Sequence, residues 1–89
     1  MVETAENRIK RLKIRSWRRG TKEMDLVLGP FSDTALAGLD ATTLDLYEAL
    51  LAENDQDLYV WFSGQTPAPE PHWPMLAILR DFHGLPKIF

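Results

Sequence analysis

The sequence predicts an all-α fold, a small single-domain bundle of about five helices, on three observations. Apolar residues recur at i, i+3, i+4 spacing almost throughout. No stretch alternates with a period of two for long enough to make a strand. Glycine, proline or a capping Asp or Asn stands where the helical pattern lapses. At 89 residues the chain is sized for one domain, residues 1–89, with a core over about 8–84 and short flexible termini.

The first helix is expected from about Thr4 to Arg19. Ile9, Leu12 and Trp17 give it only a narrow apolar stripe among many cations. Arg18 and Arg19 suit the negative end of the helix dipole, and Gly20 is the residue expected just past the end. The second helix starts near Thr21, with Met24, Val27, Leu28 and Phe31 on one face and Glu23 and Asp25 in its first turn. Gly29-Pro30 falls inside that pattern, and a proline there removes one helical hydrogen bond. A kink or break near Leu28 is predicted, with residues 32–38 continuing at an angle.

Asp40 reads as the N-cap of a third helix over 41–53, whose Leu46, Tyr47, Leu50 and Leu51 form one face. Asn54 caps a short fourth helix carrying Leu58, Trp61 and Phe62, which Gly64 ends. Residues 65–72 contain three prolines and read as an extended connection. The fifth helix runs from about Trp73 or Pro74 to Gly84, with Met75, Ile78, Leu79 and Phe82 on its core side. Trp61 and Trp73 both fit core stripes. The tail after Gly84 reads as a frayed end or a docking strip.

Charge divides the chain in two. Residues 1–22 carry eight Lys/Arg against Glu3 and Glu6, a net of +6, whereas residues 23–89 carry two against eleven acids, a net of −9. From Ile9 to Lys22 no acid separates the cations, so they repel one another and call for an acidic partner inside or outside the chain. Trp17 sits among them, either as a core-edge residue or as an exposed aromatic anchor.

Catalytic and metal-binding patterns are not found in the sequence. With no cysteine there is no disulfide framework, thiolate nucleophile or cysteine-ligated metal, a composition suited to a reducing compartment. His72 and His83 lack ligand spacing and read as surface or cap residues. Asp55 and Asp57 read as helix-capping residues, since a full calcium loop is missing. No glycine-rich phosphate loop exists, and the serines have no activating context in sequence. No apolar run reaches transmembrane length, and the start lacks the apolar stretch of a signal peptide, so a mature cytoplasmic protein is expected.

One long pattern is more specific. Arg18-Arg19-Gly20-x-x-Glu23-Met24-Asp25, then Leu28-x-Pro30-Phe31, then Leu50-Leu51-Ala52-Glu53-Asn54-Asp55-x-Asp57-Leu58-Tyr59-x-Trp61-Phe62 resembles the succinate dehydrogenase assembly factor 2 family. Bacterial members of that family are the FAD assembly factors called SdhE. The similarity spans about Ile9 to His83.

The resemblance implies a five-helix, non-enzymatic protein. It would bind the flavoprotein subunit of succinate dehydrogenase or fumarate reductase and promote covalent attachment of FAD to a histidine of that subunit. The family's Arg-Gly-x-x-Glu element is matched by Arg19, Gly20 and Glu23 and lies on the interaction surface; Trp17, Arg18 and Asp25, beside it in sequence, are further partner-binding candidates of this chain. From the residues themselves, with no ligand cluster in sequence, no catalytic residue, no metal and no intrinsic cofactor are expected, and the FAD of the resemblance belongs to the client. A monomer is expected that binds no nucleic acid, because the acidic remainder repels phosphates, and does not insert stably into membranes, because the apolar face of the first helix is thin. Met24 departs from the common leucine, and Gly29 precedes the proline of the second helix.

Elementary chemistry gives the element several possible uses. Gly20 can take positive φ at little cost, and Arg19 offers five planar donors. Glu23 can cap the second helix or hold an arginine. Both charges are expected to be exposed at the helix junction, where they could also pair weakly across the turn. The alternative class is a nucleic-acid or membrane-surface adaptor using the basic first helix.

Overall fold

The computed structural model describes residues 3–86 and 88. Five α-helices follow one another: α1 Ala5–Trp17, α2 Lys22–Thr34, α3 Ala41–Leu51, α4 Asp55–Phe62 and α5 Trp73–Phe82. Two single 3-10 turns, Leu36–Gly38 and Glu70–His72, join α2 to α3 and lead into α5. No described residue is in a strand. The all-α prediction is correct.

Local capping explains most boundaries. Thr4, Thr21, Asp40 and Asn54 each accept a backbone N–H three residues on, from Asn7, Met24, Thr43 and Asp57, which satisfies one otherwise orphaned donor per helix. Asn54 Nδ2 also donates to Asp57 Oδ2 at 2.8 Å, closing that cap from both sides. Gly64 and Gly84 follow α4 and α5 at φ +84° and +74°, where a side chain would be strained.

Three boundaries differ from expectation. First, α1 stops at Trp17 rather than Arg19, because Arg18 has already left helical geometry at φ −123°, ψ 50°. Second, α2 runs unbroken through Pro30 to Thr34. Glycine before the proline removes the Cβ that its ring would strike. The carbonyl that loses its donor belongs to Leu26, which lies on the exposed side where water can replace the bond. The expected continuation over 32–38 is the end of α2 followed by a 3-10 turn. Third, α3 ends at Leu51 rather than at 53, because its last turn tightens: Ala52 N–H reaches Ala49 O and Glu53 N–H reaches Leu50 O.

The core gathers Leu12 of α1, Met24, Leu28 and Phe31 of α2, Tyr47, Leu50 and Leu51 of α3, Leu58 of α4, and Met75, Leu76 and Leu79 of α5. Each such side chain contributes about 1.5–3 kcal/mol on leaving water. Inside it, Ser16 Oγ donates to Leu12 O at 2.8 Å and meets the Tyr47 hydroxyl at 2.5 Å. Since the serine proton serves Leu12, the tyrosine is the donor. Burial pushes the Tyr47 phenol up to about 12.

The predicted phase of α5 needs correction. Ile78 and Trp73 are partly exposed while Leu76 and Arg80 are buried, so the stripe is rotated toward Leu76. The indole N–H of Trp73 instead holds Ala68 O at 2.8 Å, pinning the proline-rich connection. Arg80 draws its own helix inward: Nε donates to Pro86 O at 2.8 Å and a terminal nitrogen donates to Phe62 O. Both histidines lie at helix ends as expected, but their rings turn in. His72 stacks on Trp61, and His83 Nε2 lies 2.8 Å from Val27 O. Of the predicted tail, positions 87 and 89 lie outside the described residues.

Candidate functional site

Four residues carry the chain from α1 to α2, and the direction of each side chain decides what this junction can do. Gly20 makes the turn at φ +101°, a conformation costing an L side chain about 1–2 kcal/mol. A Cβ there would stand 3.6 Å from Asp55 Oδ2, an ordinary contact. The backbone angle, rather than lack of room, therefore requires glycine.

The turn sends Arg19 inward. Its Nε donates to Asp55 Oδ1 at 2.7 Å, and its terminal nitrogens donate to the Leu51 and Glu53 carbonyls at 2.5 Å each. Those carbonyls lie at and just past the end of α3, where intrahelical donors run out. Arg19 thus caps the negative end of α3 while pairing with the carboxylate at the first residue of α4. One planar guanidinium welds the α1–α2 junction to the α3–α4 corner. The expectation of an exposed Arg19 is overturned, since only 11% of its side chain reaches solvent. Nor does Arg19 pair with Glu23.

Asp25 also faces the junction, accepting the Arg19 backbone N–H at 3.2 Å. Thr21 Oγ1 accepts from Met24 N–H at 3.4 Å and donates to Asp55 Oδ2 at 3.5 Å, so Thr21 caps α2. Glu23 neither caps nor holds an arginine. It is exposed and has no hydrogen-bond or ion-pair partner among the described residues. It stands at an open cleft of about 450 Å³ shared with Thr21, Asp55, Gln56, Tyr59 and Val60. Arg18, on the other side of the turn, is exposed as well.

Trp17 packs at the core edge and still keeps part of its ring exposed. Its ring lies flat over α2 at Gly29, where an added Cβ would stand only 2.6 Å from ring carbons. Its indole N–H points between the Asp33 carboxylate oxygens, 3.2 Å from each. Yet 42% of the residue stays exposed.

Part of the basic helix is neutralised inside the chain. Arg8 bonds Asp45 and Glu48, and Arg11 bonds Glu3 and Glu48. Hydrogen bonds from Arg11 and then Arg8 hold the Glu48 carboxyl below its ordinary range. Lys13, Arg15, Arg18 and Lys22 have no ion-pair partner among the described residues. No group of three or more metal-ligating side chains occurs among those residues, and none of their helices is long and apolar enough to cross a membrane.

Sequence reasoning placed Trp17, Arg18, Arg19, Gly20, Glu23 and Asp25 at one junction. It missed Asp55 as the anion for Arg19, Tyr59 beside Glu23, and Gly29 as the seat of Trp17. The signal for Gly29 was present: a glycine inside a helix costs about 1 kcal/mol and commonly marks a close approach. Asp55 gave no such signal, because its helix-capping context already accounts for it.

Known proteins share this arrangement of sequence. The family model described as flavinator of succinate dehydrogenase matches residues 10–83, which include the junction and every helix core. The chain is 39% identical over 71 residues to the mitochondrial succinate dehydrogenase assembly factor 2 of Schizosaccharomyces japonicus, covering 80% of this chain and 49% of that protein. It is 38% identical over 79 residues to the Schizosaccharomyces pombe protein of the same name, covering 89% and 56%. With the FAD assembly factor SdhE of Pseudomonas putida it shares 39% identity over 65 residues, covering 72% and 77%. The chain therefore spans about half the length of the fungal relatives and most of the bacterial one. On the family match and these identities, the chain belongs to the succinate dehydrogenase flavinator family.

Proposed function

We propose that this protein is an assembly factor that binds the flavoprotein subunit of succinate dehydrogenase, or of fumarate reductase, and promotes covalent attachment of FAD to it. The observation that carries the reading is the division of labour in the Arg19-Gly20-x-x-Glu23 element. Arg19 is spent internally as a three-acceptor clamp, and Glu23, with no partner among the described residues, stands beside a cleft at the same junction. Family membership supplies the identity of the client.

The contribution is positioning. A partner surface held in one geometry can favour the client conformation that aligns its own reacting groups, and alignment lowers a barrier without adding a nucleophile. The protein itself then needs no catalytic residue, metal or bound cofactor, and the FAD stays with the client. It acts as a monomer in the aqueous compartment where that subunit matures, the cytoplasm in a bacterium. The nucleic-acid alternative is weakened because Arg8 and Arg11 already face acids of α3.

The test is in-gel flavin fluorescence of the denatured flavoprotein subunit from cells with and without this chain. Covalent flavin is expected to fall strongly in its absence and to return when it is supplied. Equal fluorescence in both would refute the proposal.

A further inference from the structure

The clamp and the Glu23 cleft leave one conspicuous feature unused, the outward ridge of the α1–α2 hairpin. Trp17 crowns it. Ile14, one turn earlier on α1, is 56% exposed, and Leu26, one turn before Gly29 on α2, is 57% exposed. By helical register these two flank the ring. Around them stand Lys13, Arg18 and Lys22, none with an ion-pair partner among the described residues.

Trp17 is held rather than loosely displayed. Gly29 clears space for the ring and Asp33 fixes its N–H. A large aromatic fixed in place before binding loses little rotamer freedom on association, and such residues dominate binding energy at interfaces. Asp33 is the acid nearest the ring, but its carboxylate is already engaged by the indole. The cations remain available to a partner, and their repulsion is relieved only by anions.

We propose that this ridge is a second docking surface, and that its occupant is an acidic protein surface with an apolar pocket for Trp17. It belongs to the same client that meets Glu23. This rests on the proposed function. The ridge adds a contact set independent of the Arg19-Gly20-x-x-Glu23 element, with electrostatic steering through Lys13, Arg18 and Lys22.

The experiment titrates the purified flavoprotein subunit of succinate dehydrogenase from the same organism against the full chain and its variants. The variants are Trp17→Ala, Gly29→Ala, Arg18→Glu and Glu23→Gln. Circular dichroism first checks that each is folded. Gly29→Ala unseats the ring without removing it, and Trp17→Ala serves if that variant misfolds. Both are expected to weaken Kd at least about tenfold, as loss of an anchor does. Arg18→Glu should weaken binding severalfold and flatten its salt dependence.

If the subunit binds the parent chain and responds to Glu23→Gln, but Trp17→Ala and Gly29→Ala stay within twofold, the ridge proposal is wrong and the client assignment survives. If the parent chain does not bind the subunit at all, both fail. Trp17-dependent binding to anionic phosphatidylglycerol vesicles, with no such dependence for the subunit, would also overturn the ridge proposal in favour of a lipid surface.

Discussion

Arg19 and Arg80 are two arginines with the same occupation and different surroundings. Each reaches to carbonyls at the end of a neighbouring helix, Arg19 from the α1–α2 turn to Leu51 and Glu53 after α3, and Arg80 from α5 to Phe62 at the end of α4 and to Pro86 in the tail after its own helix. Arg80 ties the tail to α4 and presents nothing unusual beyond it. Arg19 ties down a turn whose next residues include Glu23, exposed and without a partner among the described residues. A charged residue in a sequence element can thus be spent on packing, and under the proposed function Arg19 would hold the backbone that presents Glu23.

The comparison breaks most visibly at the clamps themselves. Arg19→Ala leaves Asp55 and two carbonyls without their donor in a part-buried site, and a stability loss of about 3 kcal/mol is expected. Arg80→Ala should also lower the melting temperature. At a temperature where both variants remain folded, only Arg19→Ala should reduce covalent flavin on the client. Thermal denaturation combined with flavin fluorescence separates the two, and an Arg19→Ala protein as stable as the parent would show that the clamp contributes nothing.

The interior beneath the junction gives the next effect. The neutral Tyr47 phenol is favoured in the folded state, since burial raises it to about 12 from 10.0. Its contribution is therefore complete below about pH 10 and is lost as pH rises through about 12, on the order of 2 kcal/mol. Tyr47→Phe should flatten that decline in chemical denaturation across this window. Ser16 keeps its bond to Leu12, so no buried hydroxyl is orphaned. An equally steep decline in the variant would assign it to other groups.

A smaller loss is expected at the turn. Gly20→Ala has room for its Cβ but not the backbone angle, so about 1–2 kcal/mol should be lost. Loss of stability by urea titration beyond that range would mean that the new methyl group disturbs Asp55 as well.

How much of this was readable beforehand follows from the range of each interaction. Asp40 and Asn54 were legible as caps because a cap acts on a backbone N–H three residues away. The junction was legible because Gly20 interrupts two helical patterns. The inward turn of Arg19 was not, because its acceptors lie at 51, 53 and 55 and meet it only through tertiary packing. Pro30 misled for a related reason: its missing hydrogen bond was visible, but the exposure of Leu26 that makes the loss tolerable was not. On α5, Ile78 and Leu76 are equally apolar, and only the position of α5 against its neighbours decides which one is buried.

Under the proposed function Arg19 holds the junction while Glu23 meets the client, and Glu23→Gln separates the two. The substitution removes an exposed charge with no partner among the described residues, so stability should change by less than about 0.5 kcal/mol. Covalent flavin on the client subunit, read by in-gel fluorescence from cells carrying the variant in place of the parent protein, should fall severalfold at equal protein level. Parental fluorescence with a folded Glu23→Gln protein would contradict the account, and would leave recognition to some other part of the surface.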